Sequence, residues 1–377
     1  MTTETDEHRT ALRDSVADFA KRGTDLARVR RLRGTPVEYD RAVWNEMAGL
    51  GWLGILVPEQ YTGLGLGLAE AATVAEGLAR ALVPEPFTAA AVLAAGVLAG
   101  GDNDALKQEL LPQVVSGKLI PALAWQECAG MLDVAAIEMQ AAPFEGGFRL
   151  NGSKRFIAGA AGADGYIVSA KTARGIELFW IERNAPGVGL KLEVLADGRH
   201  FGILALSDVT VTREKKVAGD AVAHAALEKA LDHATVIAGA ELCGVMARAL
   251  EMSLDYMKTR VQFGKPIGSF QALQHRAVDL YIQQQLSSAV LEEALHALDQ
   301  NPDARTRVAL ASRVKARCSD AGLRITREAI QIHGAIGFTD EYDAGLYLKR
   351  ATVLAAWLGN AALHRRRYAQ IAAGVDA

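Results

Sequence analysis

The sequence predicts an α+β fold in three consecutive parts, and three observations lead to that prediction. Apolar residues recur at helical spacing through residues 1–118 and again through 222–377, whereas residues 119–221 hold short strand-like runs separated by glycine turns. The chain has 377 residues, which is too many for one ordinary core. We therefore expect an N-terminal all-α domain, a small antiparallel β domain and a C-terminal four-helix bundle, with boundaries at those residues.

Five helices are predicted in the N-terminal domain. Apolar faces place the first two around residues 12–20 and 43–53, and the other three are predicted at 69–82, 89–98 and 106–115. Residues 58–67 contain a GxGxG pattern between the second and third helices. Because no βαβ unit surrounds it, we interpret the pattern as a glycine-rich connector and not as a dinucleotide-binding turn.

From about residue 119 the apolar residues follow the spacing of strands, and near residue 222 they return to the spacing of helices. Five strands are predicted in the middle domain, at 119–125, 148–151, 167–171, 176–181 and 201–206. Four long helices are predicted after it, at 226–259, 270–299, 303–333 and 350–373, the last with an irregular lead-in over 345–349. Four such helices are typical of a bundle.

Composition argues against several classes of function. The net charge of -3 gives no electrostatic basis for binding nucleic acid or an anionic membrane. The most apolar run, 87–98, is shorter than the roughly 20 residues that cross a bilayer, and the acidic, polar N-terminus is unlike a signal peptide. Cys128, Cys243 and Cys318 are isolated from one another, which gives no zinc spacing and fits a reducing compartment. We expect a cytoplasmic protein without a metal site.

The stretch from Arg260 to His275 is the most informative in the chain. It ends one helical pattern, breaks it with Gly264, Pro266 and Gly268, and restarts as a second helix. The turn therefore puts polar and aromatic side chains at a corner between two helices, where they can hold a ligand. This segment resembles the flavin-binding turn of the acyl-CoA dehydrogenases, which remove two hydrogens from an acyl-CoA and pass a hydride to FAD.

The resemblance covers essentially the whole chain and implies FAD as the cofactor. It assigns Arg260 to the pyrophosphate, which a guanidinium can pair with through its planar fork. It also implies that Phe263 stacks near the adenine end and that Gln271 and Gln274 hydrogen-bond the cofactor.

A second motif, at residues 331–339, ends the third bundle helix. Glycine after a helix lets the chain turn and lets backbone amides approach a ligand. In the family this loop contacts the FAD of the neighbouring subunit, so the resemblance implies contacts from Gln331, Gly334 and Ala335. The family often has Gly-Gly here, and Ala335 is a mild departure.

The β domain departs further from the family. Gln126-Glu127-Cys128 stands where the family usually has Thr-Glu-Pro, and Phe156 and Ala158 stand where it has Trp and Thr. By resemblance Gln126, Phe156 and Ala158 lie against the flavin. Because hydroxyl groups are missing, the resemblance implies fewer flavin contacts from this domain.

The family's reaction needs a base that takes the α-proton while the β-hydride leaves. That base is usually a Glu whose pKa is raised by apolar surroundings, and the matching residue here is Leu358. A few relatives carry the Glu on the first bundle helix, where this chain has Ala234. Glu241 lies two turns farther on, about 11 Å along the helix. It is a candidate for a relocated base, or a structural partner of a nearby Arg.

Three interpretations remain open. Glu241 serves as the base; or the chain is the subunit without a base in a heteromeric dehydrogenase, as in bacterial members acting on steroid side chains; or it is a diverged flavin- or acyl-CoA-binding protein. The resemblance further implies an acyl-CoA substrate from fatty acid or steroid side-chain catabolism. It also implies a homo-oligomer or a heteromer with a Glu-bearing family member, and electron-transfer flavoprotein as the electron acceptor.

Overall fold

A computed structural model describes residues 2–23 and 26–373, with side chains over 9–21 and 26–373. Contacts divide the chain into two compact units. The first, here called the helical unit, comprises Met1–Arg30, Ala72–Val83 and Thr235–Ala377. The second, here called the sheet unit, comprises Arg31–Ala71 and Pro84–Ala234.

The first part of the chain is helical, as its apolar spacing predicts. Its helices are α1 (Thr2–Gly23), α2 (Leu26–Leu32), α3 (Arg41–Gly49), α4 (Leu68–Arg80), α5 (Ala95–Ala99) and α6 (Asp104–Val115). The helix predicted at 89–98 begins as a π-helix, Phe87–Ala94, and continues as α5. The GxGxG segment is a connector leading into α4. Its Gly63 packs so tightly that a Cβ there would lie 1.9 Å from the Val57 carbonyl oxygen.

The middle of the chain forms a twisted sheet in the sheet unit. Its strands are β1 (Pro121–Ala124), β2 (Gln140–Phe144), β3 (Gly147–Ala158), β4 (Gly165–Thr172), β5 (Gly175–Glu182), β6 (Val188–Val194), β7 (His200–Thr212) and β8 (Lys216–Ala218). The order is β6-β7-β3-β2-β4-β5-β8, and β1 pairs with β4. The buried face carries a continuous apolar cluster that includes Leu150, Tyr166, Phe179 and Leu204.

The expectation of a purely antiparallel sheet is wrong at one place. Both β1 and β2 run parallel to β4, with Pro121 paired to Gly165 and Gln140 to Lys171. Parallel strands need a crossover connection and not a hairpin, so local turn signals do not reveal them. The remaining pairings are antiparallel, and the α+β fold is confirmed.

The last part of the chain returns to helices. They are α7 (Asp220–Thr259), α8 (Gln271–Asp299), α9 (Ala304–His333), α10 (Ala335–Phe338), α11 (Ala344–Ala356) and α12 (Ala361–Ala372), with the two-residue strands β9 (Val261–Gln262) and β10 (Lys265–Pro266) between α7 and α8. The single helix predicted at 350–373 is wrong. The irregular lead-in is already α11, and the chain breaks between Ala356 and Ala361 before α12 begins.

Helix α7 is the core element of this part. By length and composition it could cross a membrane, but 94% of its most apolar window is buried inside the protein, as in a core helix. Within the helical unit it packs closely on α9. A Cβ on Gly239 would lie 2.4 Å from the Val314 side chain, and a Cβ on Gly322 would lie 2.9 Å from that of Leu242. A larger residue at Gly239 would push on the short, branched Val314 side chain, whereas one at Gly322 would require the end of the Leu242 side chain to shift.

Candidate functional site

The turn between α7 and α8 is a short hairpin. Strands β9 and β10 pair Val261 with Pro266 and Gln262 with Lys265. The two residues at the tip, Phe263 and Gly264, have φ angles of 53° and 78°. Two successive positive φ angles fit a type I′ turn, whose twist matches that of paired strands. Gly264 meets this requirement easily, whereas Phe263 is held in a conformation unusual for its type.

The hairpin presents its side chains to solvent. Phe263 is 91% exposed, and its ring meets that of Phe270 edge-on at 6.1 Å. Arg260 and Gln271 are also exposed. The side-chain amide of Gln274 donates to the Gly268 carbonyl at 2.9 Å, so this residue fixes the turn. The predicted residues therefore share one corner of the helical unit, with a cation, a ring and an amide open to a ligand.

The second motif begins where α9 ends. Gly334 has φ 65° and ψ -138°, a combination that glycine tolerates and other residues avoid, and a Cβ there would meet no atom within 4 Å. The next residue, Ala335, is exposed and starts α10 with an ordinary helical backbone. This explains the departure from Gly-Gly, because glycine is needed at the first position and not at the second. Gln331 is exposed on the last turn of α9.

A stack of rings joins the two motifs. His333, next to Gly334, lies 4.5 Å from the ring of Tyr256, one turn before Arg260, and 4.5 Å from the ring of Tyr342. Its Nδ1 lies 2.7 Å from the Ala329 carbonyl oxygen, so Nδ1 carries the donated proton. Burial lowers the pKa of His333, so the ring is neutral near pH 7. The stack fixes the loop at residue 334 beside the hairpin.

In the sheet unit, Gln126 follows β1 and Phe156 lies in β3. The Gln126 carbonyl accepts a hydrogen bond from the Arg155 amide at 2.8 Å. The register of β3 against β7 shifts between Lys154 and Ile157, and Phe156 within this bulge has a φ of 56°. Bulges redirect side chains, and the bulge does so here at the family's Trp position. Ala158, at the end of β3, is half-buried and offers no hydroxyl.

A buried network beside Gln126 was not predicted. Lys154 is fully buried, and its Nζ donates to a Glu127 carboxylate oxygen at 2.6 Å and to Ser169 Oγ at 3.0 Å. Glu127 also accepts from the amides of Glu138 and Met139. Burial lowers the pKa of Lys154 to about 8, against the opposing effect of Glu127. The network ties the loop after β1 to β3, where Lys154 occupies a buried position like Leu150 and Ile157.

The three positions considered for the base differ in chemistry. Leu358 is 5% exposed and lies in the break after α11, and Ala234 is fully buried on α7. Glu241, on α7, carries the carboxylate, and its Oε2 lies 2.6 Å from a guanidinium nitrogen of Arg350 on α11. Both partners are about nine-tenths buried. This contact favours the structural interpretation of Glu241.

Three family profiles cover nearly the whole chain. Residues 5–118 match the acyl-CoA dehydrogenase N-terminal domain, 122–209 the middle domain and 224–373 the C-terminal domain. The chain belongs to the acyl-CoA dehydrogenase family. One relative, acyl-CoA dehydrogenase IpdE2 of Mycobacterium tuberculosis, is 30% identical over 92% of this chain and 91% of its own length.

Solved acyl-CoA dehydrogenase folds superpose over almost the whole chain. The ChsE4–ChsE5 complex from Mycobacterium tuberculosis gives a TM-score of 0.89 at 27% identity, with 98% of each chain covered. The FAD complex of PigA gives 0.89 at 25% identity, with 97% of each chain covered.

Proposed function

We propose that this acyl-CoA dehydrogenase-family chain binds FAD but carries no base of its own, and that it works in a heteromeric complex with a family member that supplies the Glu. The observation that carries the proposal is the chemistry of the base positions. Leu358 and Ala234 are apolar and buried, and Glu241 is held in a buried ion pair with Arg350. The similarity to ChsE4–ChsE5, a complex of two chains, supports the heteromer.

The residues at the hairpin corner fit a flavin nucleotide. Arg260 offers an exposed guanidinium for the pyrophosphate, Phe263 offers an exposed ring for stacking, and Gly334 leaves its backbone open to close approach. When bound, FAD supplies the acceptor for the hydride that leaves the β-carbon. In the helical unit, the residues that would hold FAD are Arg260, Phe263, Gln271, Gln274, Gln331, Gly334 and Ala335. In the sheet unit, the resemblance assigns flavin contacts to Gln126, Phe156 and Ala158.

The substrate is an acyl-CoA, taken from fatty acid or steroid side-chain catabolism, and the reaction is α,β-dehydrogenation. In this proposal, the chain places the apolar side chain of Leu358 at the position of the base. That side chain excludes water from the position but accepts no proton. The α-proton is removed by the Glu-bearing subunit at its own site. Electron-transfer flavoprotein is the proposed acceptor of the electrons.

An oligomer is proposed from the surface of α8. Val278, Tyr281, Ile282 and Leu286 are 56%, 53%, 45% and 50% exposed and recur at helical spacing. A contiguous apolar stripe of this kind is typical of a protein–protein interface. The 331–339 loop adds Phe338, which is 87% exposed. We therefore expect α8 to pack against a second subunit.

We place this function in the cytoplasm. Cys128, Cys243 and Cys318 are free thiols, and the Sγ atoms of Cys243 and Cys318 lie 3.9 Å apart without a bond. Three scattered cysteines without a disulfide framework in the sequence fit a reducing compartment.

The test is flavin bleaching by a panel of acyl-CoA substrates, measured on the purified chain and on Leu358→Glu. The wild-type chain alone should show little or no bleaching. The variant should show weak bleaching, because apolar surroundings raise the pKa of a carboxylate toward a useful range. Rapid turnover by the pure wild-type chain would overturn the proposal and direct attention to Glu241.

A second candidate, a diverged flavin- or acyl-CoA-binding protein, is favoured by the β domain alone. Phe156 and Ala158 replace the Trp and the Thr expected by resemblance. In that case neither the wild-type chain nor Leu358→Glu would respond to an acyl-CoA, alone or with a Glu-bearing partner.

A further inference from the structure

The break between α11 and α12 has an unusual backbone. Leu358 has a φ of 58° and Gly359 a φ of 94°, so two successive residues lie in the left-handed region. Glycine adopts that region freely, whereas leucine does so only when its surroundings compel it. The turn over residues 357–360, here called the 358 turn, is therefore held in place by contacts from elsewhere in the helical unit.

Lys315 supplies most of those contacts from α9. Its side chain is fully buried, and Nζ donates to the carbonyl oxygens of Leu354 at 2.8 Å, Ala355 at 3.1 Å and Gly359 at 2.8 Å. Ser319 Oγ lies 3.4 Å from the same nitrogen. The carbonyls of Leu354 and Ala355 belong to the last turn of α11, where a helix leaves such groups without partners. An ammonium has three N–H bonds, and three carbonyls receive them.

His364, in the first turn of α12, supplies the fourth contact. Its Nε2 lies 2.8 Å from the Leu358 carbonyl oxygen, and its Nδ1 lies 3.4 Å from Ser312 Oγ. Burial lowers the pKa of His364 to about 3, so the ring is neutral and has one N–H. That proton is on Nε2, because a carbonyl can only accept, and Nδ1 accepts from the Ser312 hydroxyl. Both carbonyls of the left-handed residues are thus bonded to buried side chains.

Keeping Lys315 in the core is costly. Burial lowers its pKa to about 7, and none of its hydrogen-bond partners among the described residues is a carboxylate. An apolar side chain of similar length would avoid the desolvation of a charge. The hydrogen bonds of Lys315 stabilise one local region. Every acceptor other than Ser319 lies in the last turn of α11 or in the 358 turn.

We propose that Lys315 and His364 are positioning residues that clasp the 358 turn and fix the direction of the side chain at position 358. The significance of that direction rests on the proposed function, in which position 358 is where the family's base would stand. The clasp is present although the side chain at position 358 is leucine, which has no carboxyl group to position.

Hydrogen exchange of the full-length chain tests the clasp without reference to activity. Lys315→Met keeps the length of the side chain but donates no hydrogen bond, and Lys349→Met on the half-buried face of α11 is the matched control. In Lys315→Met, amides of the peptide covering the 358 turn should exchange about tenfold faster or more. The control should leave that peptide unchanged. Unchanged exchange in Lys315→Met would overturn the proposal, as would an equal increase throughout α7, α8 and α9.

His364 keeps the proposal testable if Lys315→Met does not fold. His364→Gln retains an N–H near Nε2, whereas His364→Leu has none. The proposal expects faster exchange at the 358 turn in the leucine variant and near-normal exchange in the glutamine variant. Equal exchange in the two variants would contradict it.

The rate of flavin bleaching distinguishes a role of Lys315 in positioning residue 358 from a role in stability alone. In the Leu358→Glu background, adding Lys315→Met should lower the bleaching rate at saturating acyl-CoA and leave the half-saturating concentration unchanged, because the base and not the substrate is displaced. A rate that is unchanged while the turn exchanges faster would refute a role in positioning. If neither Leu358→Glu alone nor the wild type with a Glu-bearing partner bleaches, the proposed function fails, and the exchange experiment still decides whether the clasp exists.

Discussion

A leucine side chain at position 358 has no atom that can accept a proton, however apolar its surroundings are. Glu241 has such an atom, but Arg350 lies 2.6 Å from it in a buried contact. Removing one partner of a buried ion pair leaves the other charge without compensation. At the scale of single residues, the carboxylate that could act as a base is committed to holding α7 against α11.

Glu241→Gln tests that commitment. We expect the free energy of unfolding to fall by roughly 3 kcal/mol, because the buried guanidinium of Arg350 loses its counter-charge. Glu251→Gln is the control, since Glu251 pairs with Arg80 at 2.7 Å in a half-exposed contact, where such pairs contribute about 1 kcal/mol or less. Denaturant unfolding measures both. A base at Glu241 would instead show itself as lost activity with unchanged stability.

Arg260→Ala tests the cofactor assignment. The variant removes a charge-assisted phosphate contact worth roughly 1.5–3 kcal/mol, so FAD should bind roughly tenfold to a hundredfold more weakly. Lys258→Ala is the matched control, because it removes one positive charge from the exposed end of α7 near the hairpin. Flavin content by absorbance after gel filtration is the measurement. Equal flavin content in Arg260→Ala and in the control would show that the hairpin does not hold the pyrophosphate.

At the scale of elements, apolar spacing predicts most helices and the longer strands, because each buries one face. The spacing does not predict the break between α11 and α12. Leucine at 358 carries no turn signal, but the next two residues do. Gly359 has a φ of 94°, and the side chain of Asn360 caps the start of α12. Lys315, on another helix, adds a tertiary hydrogen bond to the Gly359 carbonyl. The parallel pairing of β1 with β4 was missed because local turn signals do not reveal a crossover connection. The lysine networks at Lys154 and Lys315 depend on burial, which a single sequence does not reveal.

Lys315 makes a prediction about pH. Its pKa is lowered to about 7 in the folded chain, against about 10.4 in an unfolded one. Between those values the unfolded chain binds more protons, so the cost of burying Lys315 is fully present below pH 7 and disappears as pH rises toward 10.4. The free energy of unfolding of the wild type, minus that of Lys315→Met, should therefore increase between pH 6.5 and 10. A flat difference would show that the Lys315 pKa is not lowered by folding.

At the scale of the whole molecule, the family and the order of α, β and α parts were predictable, because motifs and period changes extend along the entire chain. The likeness to ChsE4–ChsE5 and to the FAD complex of PigA is a likeness of whole chains. The oligomeric state, in contrast, could not be predicted from motifs or period changes in the sequence. It depends on which exposed apolar faces find a partner, and α8 offers the longest such face within the described residues.

Leu286→Lys tests assembly through that face. The side chain is 50% exposed on α8, in line with Tyr281 and Ile282. A lysine there would place a charge within the proposed apolar interface, which disfavours association because the charge would be desolvated without a partner. Val194→Lys is the matched control, since Val194 is 66% exposed on β6, away from α8 in the chain. Sedimentation velocity should show a dimer or tetramer for the wild type and the control, and a smaller species for Leu286→Lys.

If the resemblance also holds for the 331–339 loop, which in the family contacts the neighbouring subunit's FAD, flavin content should fall together with assembly. A wild-type monomer that retains full FAD would contradict both the interface and the shared cofactor site.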